Sequence, residues 1–133
     1  MLPEAAQPRA VHPATTADAG NPEISRMQMA QSRVEQLKEI LAQDANNLLT
    51  RYALAMEYSN SGNVDAAVAE FKLLLEKNPD YANAYFMAAQ SLAGADRSAE
   101  AGQMLQDGIT AAKRSGNQHA ASEMQLMLDD LER

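Results

Sequence analysis

The residues with which a protein does chemistry are few in this chain and badly spaced for it. His12 and His119 are the only histidines and there is no cysteine. Neither a His pair at metal-ligand spacing nor a thiolate zinc site, a disulfide framework or a cysteine nucleophile can therefore be assembled. Both histidines read as solvated side chains. Carboxylates are plentiful, but Glu35, Glu39, Asp65, Glu70, Asp129 and Asp130 fall on helix faces that should be exposed, where they serve as solubility charges. Gly62, Gly94, Gly102, Gly108 and Gly116 are scattered rather than gathered into a phosphate-cradling loop, and no serine has an adjacent base to activate it. This inventory points away from an enzyme, a metal centre or a bound cofactor.

The charge balance narrows the partners. With 18 acidic against 11 basic residues, net −7, the surface does not suit nucleic acid or an anionic membrane, both of which recruit clustered Lys and Arg. No apolar run approaches the roughly 20 residues needed to span a bilayer. The start also lacks the basic head and apolar block of a secretory signal, so a cytoplasmic address is expected.

What must position any functional side chain is a set of helices in one domain. Residues 1–24 carry Pro3, Pro8, Pro13 and Pro22 among Ala, Thr and Gly and hold too little apolar surface to offset the entropy of ordering them. They read as a disordered Pro/Ala-rich tail; the alternative is that translation begins at Met27 or Met29. Ser25 with Gln28 has the form of a capping box, so the helical domain is expected to span 25–133. In its first helix Ala30, Val34, Leu37 and Leu41 form one apolar stripe. Two further helical patterns meet at Ser61-Gly62-Asn63, with Asn46 or Asn47 capping the first, Gly62 supplying a left-handed exit and Asn63 capping the second. Pro79 ends that pair.

From Leu48 to Tyr81 the apolar residues are Leu54 and Tyr58, then Ala67, Phe71, Leu74 and Leu75. The spacing Leu54-Ala55-x2-Tyr58, Ala67-x3-Phe71, Pro79 resembles the tetratricopeptide repeat, whose period is about 34 residues. Arg51 stands where that family prefers Trp and Ala55 where it prefers Gly. One period on, Tyr85, Ala88, Ala89, Leu92, Ala101 and Leu105 replace Arg51, Leu54, Ala55, Tyr58, Ala67 and Phe71. Leu37, Ile40 and Leu41 lie one period before Phe71, Leu74 and Leu75, which makes the first helix the second half of an incomplete repeat. After Ser115-Gly116, Asn117 can cap a last helix. Its stripe is Ala121, Met124 and Leu128 if the chain carries a two-residue extension around Ala112 to Gly116. The resemblance thus implies an all-α, short right-handed solenoid of helix hairpins, two full repeats between an N-terminal and a C-terminal half repeat, about six helices in all. Gly108 suits close helix packing, Gly102 has no evident role, and the smaller residues of the second repeat lead us to expect it to be the less stable half.

Members of this family are non-enzymatic protein-interaction modules in which the first helix of each repeat lines a concave groove. Carried over by position, the groove residues are Tyr52, Met56 and Asn60, with Ser59 beside them, and Asn83, Phe86 and Gln90, with Ala93. Two aromatics and a methionine flanked by amides suit a peptide or helix of a partner protein. Tyr52, Met56 and Met87 stand where some members carry the Lys, Arg and Asn that clamp a terminal carboxylate, so binding by apolar contact is implied instead. The alternative is a structural module that self-associates, as a homodimer, through the groove or through its solenoid ends. The sequence does not identify the partner.

Overall fold

The computed structural model describes residues 22–133 as six α-helices: α1 Pro22–Gln43, α2 Leu48–Asn60, α3 Val64–Lys77, α4 Ala82–Gly94, α5 Ser98–Arg114 and α6 Gln118–Leu131. Residues 1–21, and with them most of the expected tail, lie outside the described residues. Helix α1 starts three residues earlier than the capping box implied. Pro22 fits the first helical position, where its fixed φ suits the helix and its missing N–H costs no bond, so Ser25 lies inside α1 and not at its cap. One period before Ser61-Gly62-Asn63 stands Met27-Gln28-Met29, which offers neither a left-handed residue nor a cap. The helix runs straight through the point where the other repeats turn.

The remaining boundaries follow local chemistry. Asn47, Asn63 and Asn117 each accept a hydrogen bond from a backbone N–H three residues on, at 3.1, 3.4 and 3.1 Å. Gly62 and Gly116 take φ of +82° and +81° as the chain leaves α2 and α5. In the second repeat both signals are missing: Asp96 holds the left-handed conformation at φ +62°, and Arg97 at the start of α5 makes no side-chain cap. Arg97 instead binds Asp65 across the turn edge at 2.6 Å and Glu100 at 2.8 Å, and these hydrogen bonds raise its pKa and lower that of Glu100.

The two residues at the family's Trp position perform one task by different means. Arg51 donates to the carbonyl of Ala45 at 3.1 Å, and Tyr85 donates to the carbonyl of Pro79 at 2.8 Å. Donor and acceptor both advance by one period, so each side chain ties its helix to the turn that precedes it. Arg51 also pairs with Glu70 on α3 at 2.7 Å, with both side chains mostly buried.

The core is continuous along the repeats, from Ala55, Ala67, Phe71 and Leu74 through Ala88, Ala89, Leu92, Ala101 and Leu105 to Ala121, Met124 and Leu128. No buried polar or charged residue interrupts it among the described residues. Burial of Ala121, Met124 and Leu128 places the two-residue extension before α6, as the spacing required. Ile40 differs from its counterpart one period on. It corresponds to fully buried Leu74 yet remains 45% exposed, because no helix among the described residues covers this side of α1. Arg33, at the position of fully buried Ala67, pairs with Glu57 on α2 at 2.7 Å.

Helices α2, α4 and α6 form one layer and α1, α3 and α5 the other. The backbones of neighbours within the first layer approach closely, α2 against α4 and α4 against α6, while those of the second layer stand further apart. The ribbon therefore curves with α2, α4 and α6 on its inner side.

Candidate functional site

Groove residues on α2 and α4 were expected at Tyr52, Met56, Asn60, Asn83, Phe86 and Gln90. Asn60, Asn83 and Gln90 are exposed, while Tyr52, Met56 and Phe86 are half-buried against the core. The two helices are joined through Ser59 and Ser91, whose hydroxyls hydrogen-bond at 2.5 Å; Asn60 and Gln90 are their immediate chain neighbours. Tyr52 is less open than its position suggests. Its ring stacks on Tyr81 with centroids 5.7 Å apart and meets Phe71 edge-on at 5.9 Å. Burial, with Tyr81 beside it, raises the phenol above its ordinary pKa. Tyr52 therefore belongs as much to the core of the first repeat as to its inner surface.

Two residues of the inner layer escaped the sequence reading. Leu49 is 74% exposed and Leu126 67% exposed, the largest exposures among bulky aliphatics on these three helices. Leu49 occupies the position of Asn83 in the next repeat. Leu126 follows Met124 as Met56 follows Leu54 and as Gln90 follows Ala88, so it continues the row of Met56 and Gln90 onto α6. The signal was present once the register of α6 was fixed; extending the groove positions into the half repeat would have found it. With Tyr52, Met56 and Phe86 these leucines give each of the three inner helices an apolar contribution.

Charge is divided between the layers. All four lysines, Lys38, Lys72, Lys77 and Lys113, lie on α1, α3 and α5. Helix α4 carries no charged residue, and the one arginine of the inner helices, Arg51, is engaged with Glu70. Helix α6 holds Glu123, Asp129 and Asp130. His119 lies 3.4 Å from Glu123, and Asp130 lies 3.7 Å from Arg133 beyond the helix end. No group of three or more His, Cys, Asp or Glu residues among the described residues is placed to hold a metal ion, and no helix there is long and apolar enough to cross a membrane.

Two clefts lie away from Tyr52, Met56, Phe86 and Gln90. One of about 660 Å³ separates the N-terminal half of α1 from the end of α2, with Met27, Ala30, Val34, Tyr58 and the expected groove residue Asn60 among its walls. The other, about 340 Å³, lies between α5 and α6 near Gly102 and Leu128.

No family model matches the chain and no curated protein is similar to it. Solved structures are. A protein from Bordetella parapertussis is 32% identical with a TM-score of 0.65, over 75% of this chain and 87% of its own. A tetratricopeptide repeat domain protein from Salinibacter ruber is 34% identical with a TM-score of 0.61, over 67% of this chain and 90% of its own. MamA shares the fold at 17% identity and a TM-score of 0.57, over 84% of this chain and 74% of its own. Two whole repeats in register, half repeats at either end and this likeness agree: the chain belongs to the tetratricopeptide repeat family.

Proposed function

We propose that the chain is a non-enzymatic interaction module that binds a peptide or helix of a partner protein across the inner face of α2, α4 and α6. The observation that carries this reading is the apolar set on that face, Tyr52, Met56 and Phe86 with the exposed Leu49 and Leu126 at its ends. Solenoids of this type use their concave surfaces for binding, and exposed apolar residues grouped on one face mark interaction sites. Asn60, Asn83 and Gln90 supply polar handles beside them.

The test replaces Leu49 and Leu126 rather than Tyr52, whose stacking on Tyr81 would make its loss a folding defect. Leu49→Asp with Leu126→Asp changes only exposed side chains, so helical content and melting should stay near those of the intact chain. Partners captured by the intact chain should be lost by this variant. Equal capture by a folded variant would move the site off the inner face.

A second reading has its own observation. Met27, Met29 and Ile40 are exposed on α1, one side of which no helix among the described residues covers. This favours self-association through the N-terminal end of the solenoid over self-association through the groove. Light scattering over a concentration series decides it: a dimer that Ile40→Asp converts to monomer supports this reading, and a monomer throughout removes it.

A further inference from the structure

Helix α6 has a charge pattern that its own stability does not explain. The C-terminal end of a helix carries partial negative charge and is favoured by cations. Helices α3 and α5 follow this rule, with Lys77 in the last turn of one and Lys113 and Arg114 in that of the other. The three inner helices do not, since the last turns of α2, α4 and α6 contain no basic residue. In α6 the imbalance is increased by Asp129 and Asp130, with Glu132 next to the helix end.

These ends gather on one edge. Each helix hairpin is antiparallel, so α2, α4 and α6 run the same way and finish at the edge where the chain turns into α3, into α5 and past α6. The Arg97–Asp65 bond joins two of those turns directly. The cations facing this edge are Arg97, held by Asp65 and Glu100, Arg33, held by Glu57, Arg133, 3.7 Å from Asp130, and Arg26, which shares a cleft with Asn60, Ser61 and Asn63 at the end of α2. Against them stand Asp96, Asp129 and Glu132 with three helix ends. Asp129 accepts from Gln125 at 3.0 Å, a bond that leaves its charge uncompensated. The apolar inner face thus borders a rim of negative potential.

We infer that the occupant of the inner face, on the reading proposed above, is an amphipathic protein segment with Lys or Arg along one side. Its apolar residues rest on Met56, Phe86 and Leu126, and its cations meet Asp129, Asp130 and the C-terminal ends of α4 and α6. Charge complementarity selects this occupant over an acidic segment and fixes its orientation, with the basic side toward the turns that leave the inner helices. An acidic segment would meet no free cation on the inner helices and would face their negative ends.

Fluorescence anisotropy with the full chain tests this, using a labelled helical peptide of about 18 residues built from Leu and Lys in amphipathic order and its counterpart with every Lys replaced by Glu. The Leu/Lys peptide should bind at least about tenfold more tightly, with an affinity that falls as salt rises. Asp129→Lys with Asp130→Lys should abolish the preference. Glu35→Lys with Glu39→Lys, the same change in net charge placed on α1, should leave it intact. Equal binding of the two peptides, or equal loss from the two charge reversals, overturns the inference and reduces it to net charge while the groove stands. Binding of neither peptide, or binding that Leu49→Asp with Leu126→Asp leaves unchanged, overturns the groove reading as well.

Discussion

The two full repeats reach the same hairpin from different resources. In the first, local signals are complete: an asparagine caps each helix, glycine takes the left-handed turn, and Arg51–Glu70 links the helices. In the second, no side chain caps either helix, an aspartate takes the turn and Met104 stands opposite Tyr85 where an ion pair would recur. Yet its second helix is the better buried. Helix α5 buries seven residues against four for α3, because it is longer, 17 residues against 14, and α6 packs closely along it. The expectation that the second repeat is the weaker half rested on residue size and glycine content. Position in the stack works in the opposite direction, since the apolar surface buried by α5 is set against lost caps worth about 1 kcal/mol each.

The largest test of this balance removes the matched large residues. Phe71→Ala should cost about 3–5 kcal/mol and Leu105→Ala about 2–5 kcal/mol, measured by denaturant unfolding. Comparable losses would mean one cooperative core, with α5 amides exchanging no faster than those of α3. A loss below about 1 kcal/mol at Leu105 would restore the view that the second repeat is loosely held. The two glycines of α5 should then respond with opposite signs. A Cβ on Gly108 would lie 2.7 Å from the Cβ of Tyr85 and 2.5 Å from the sulfur of Met124. Methionine can move aside but the Tyr85 Cβ is fixed to its backbone, so Gly108→Ala should destabilise by about 1–3 kcal/mol through overpacking. At Gly102 a Cβ would meet only Leu128, at an ordinary 3.6 Å, so Gly102→Ala should gain about 0.5–1 kcal/mol by lowering backbone entropy in the unfolded chain.

Reciprocal exchange at the turns isolates the local signals. Gly62→Asp should cost about 1 kcal/mol and Asp96→Gly should gain about 0.5, since the left-handed conformation crowds any Cβ. Both are read from shifts in the unfolding midpoint, and a loss at Asp96→Gly would show that the aspartate contributes more than its backbone strain removes.

Periodic and short-range features were legible in the sequence; coverage by distant elements was not. The register of both repeats, the caps at Asn47, Asn63 and Asn117, the turn at Gly62 and the extension before α6 all depend on residues within a few positions of one another. The exposure of Ile40, one period before buried Leu74, could not be read from spacing, because it depends on whether another helix covers that side of α1. The start at Pro22 was missed because a capping box three residues later gave a competing signal. Of the expected groove residues the positions were readable, but the closing of Tyr52 over Phe71 and Tyr81 was not, since Tyr81 comes from the turn before the next repeat. Leu49 and Leu126 needed only the register already in hand.

Alkaline titration gives the smallest and most local comparison. Burial raises the pKa of both Tyr52 in the first repeat and Tyr85 in the second, so the fold favours the neutral phenol at each. A raised folded-state pKa contributes stability that is complete below the unfolded value, about pH 10, and is lost as pH rises through the folded one. At Tyr52 the neighbouring Tyr81 adds to the shift; at Tyr85 Arg114 opposes it while Asp107 and Asp80 add to it. Stability measured upward from about pH 9 should therefore become less pH-dependent with Tyr52→Phe and with Tyr85→Phe alike. Tyr85→Phe also loses the hydrogen bond to Pro79 and should lower stability at neutral pH by about 0.5–1.5 kcal/mol. An alkaline slope that Tyr52→Phe leaves unchanged would mean that the first repeat opens around Tyr52 before its phenol ionises.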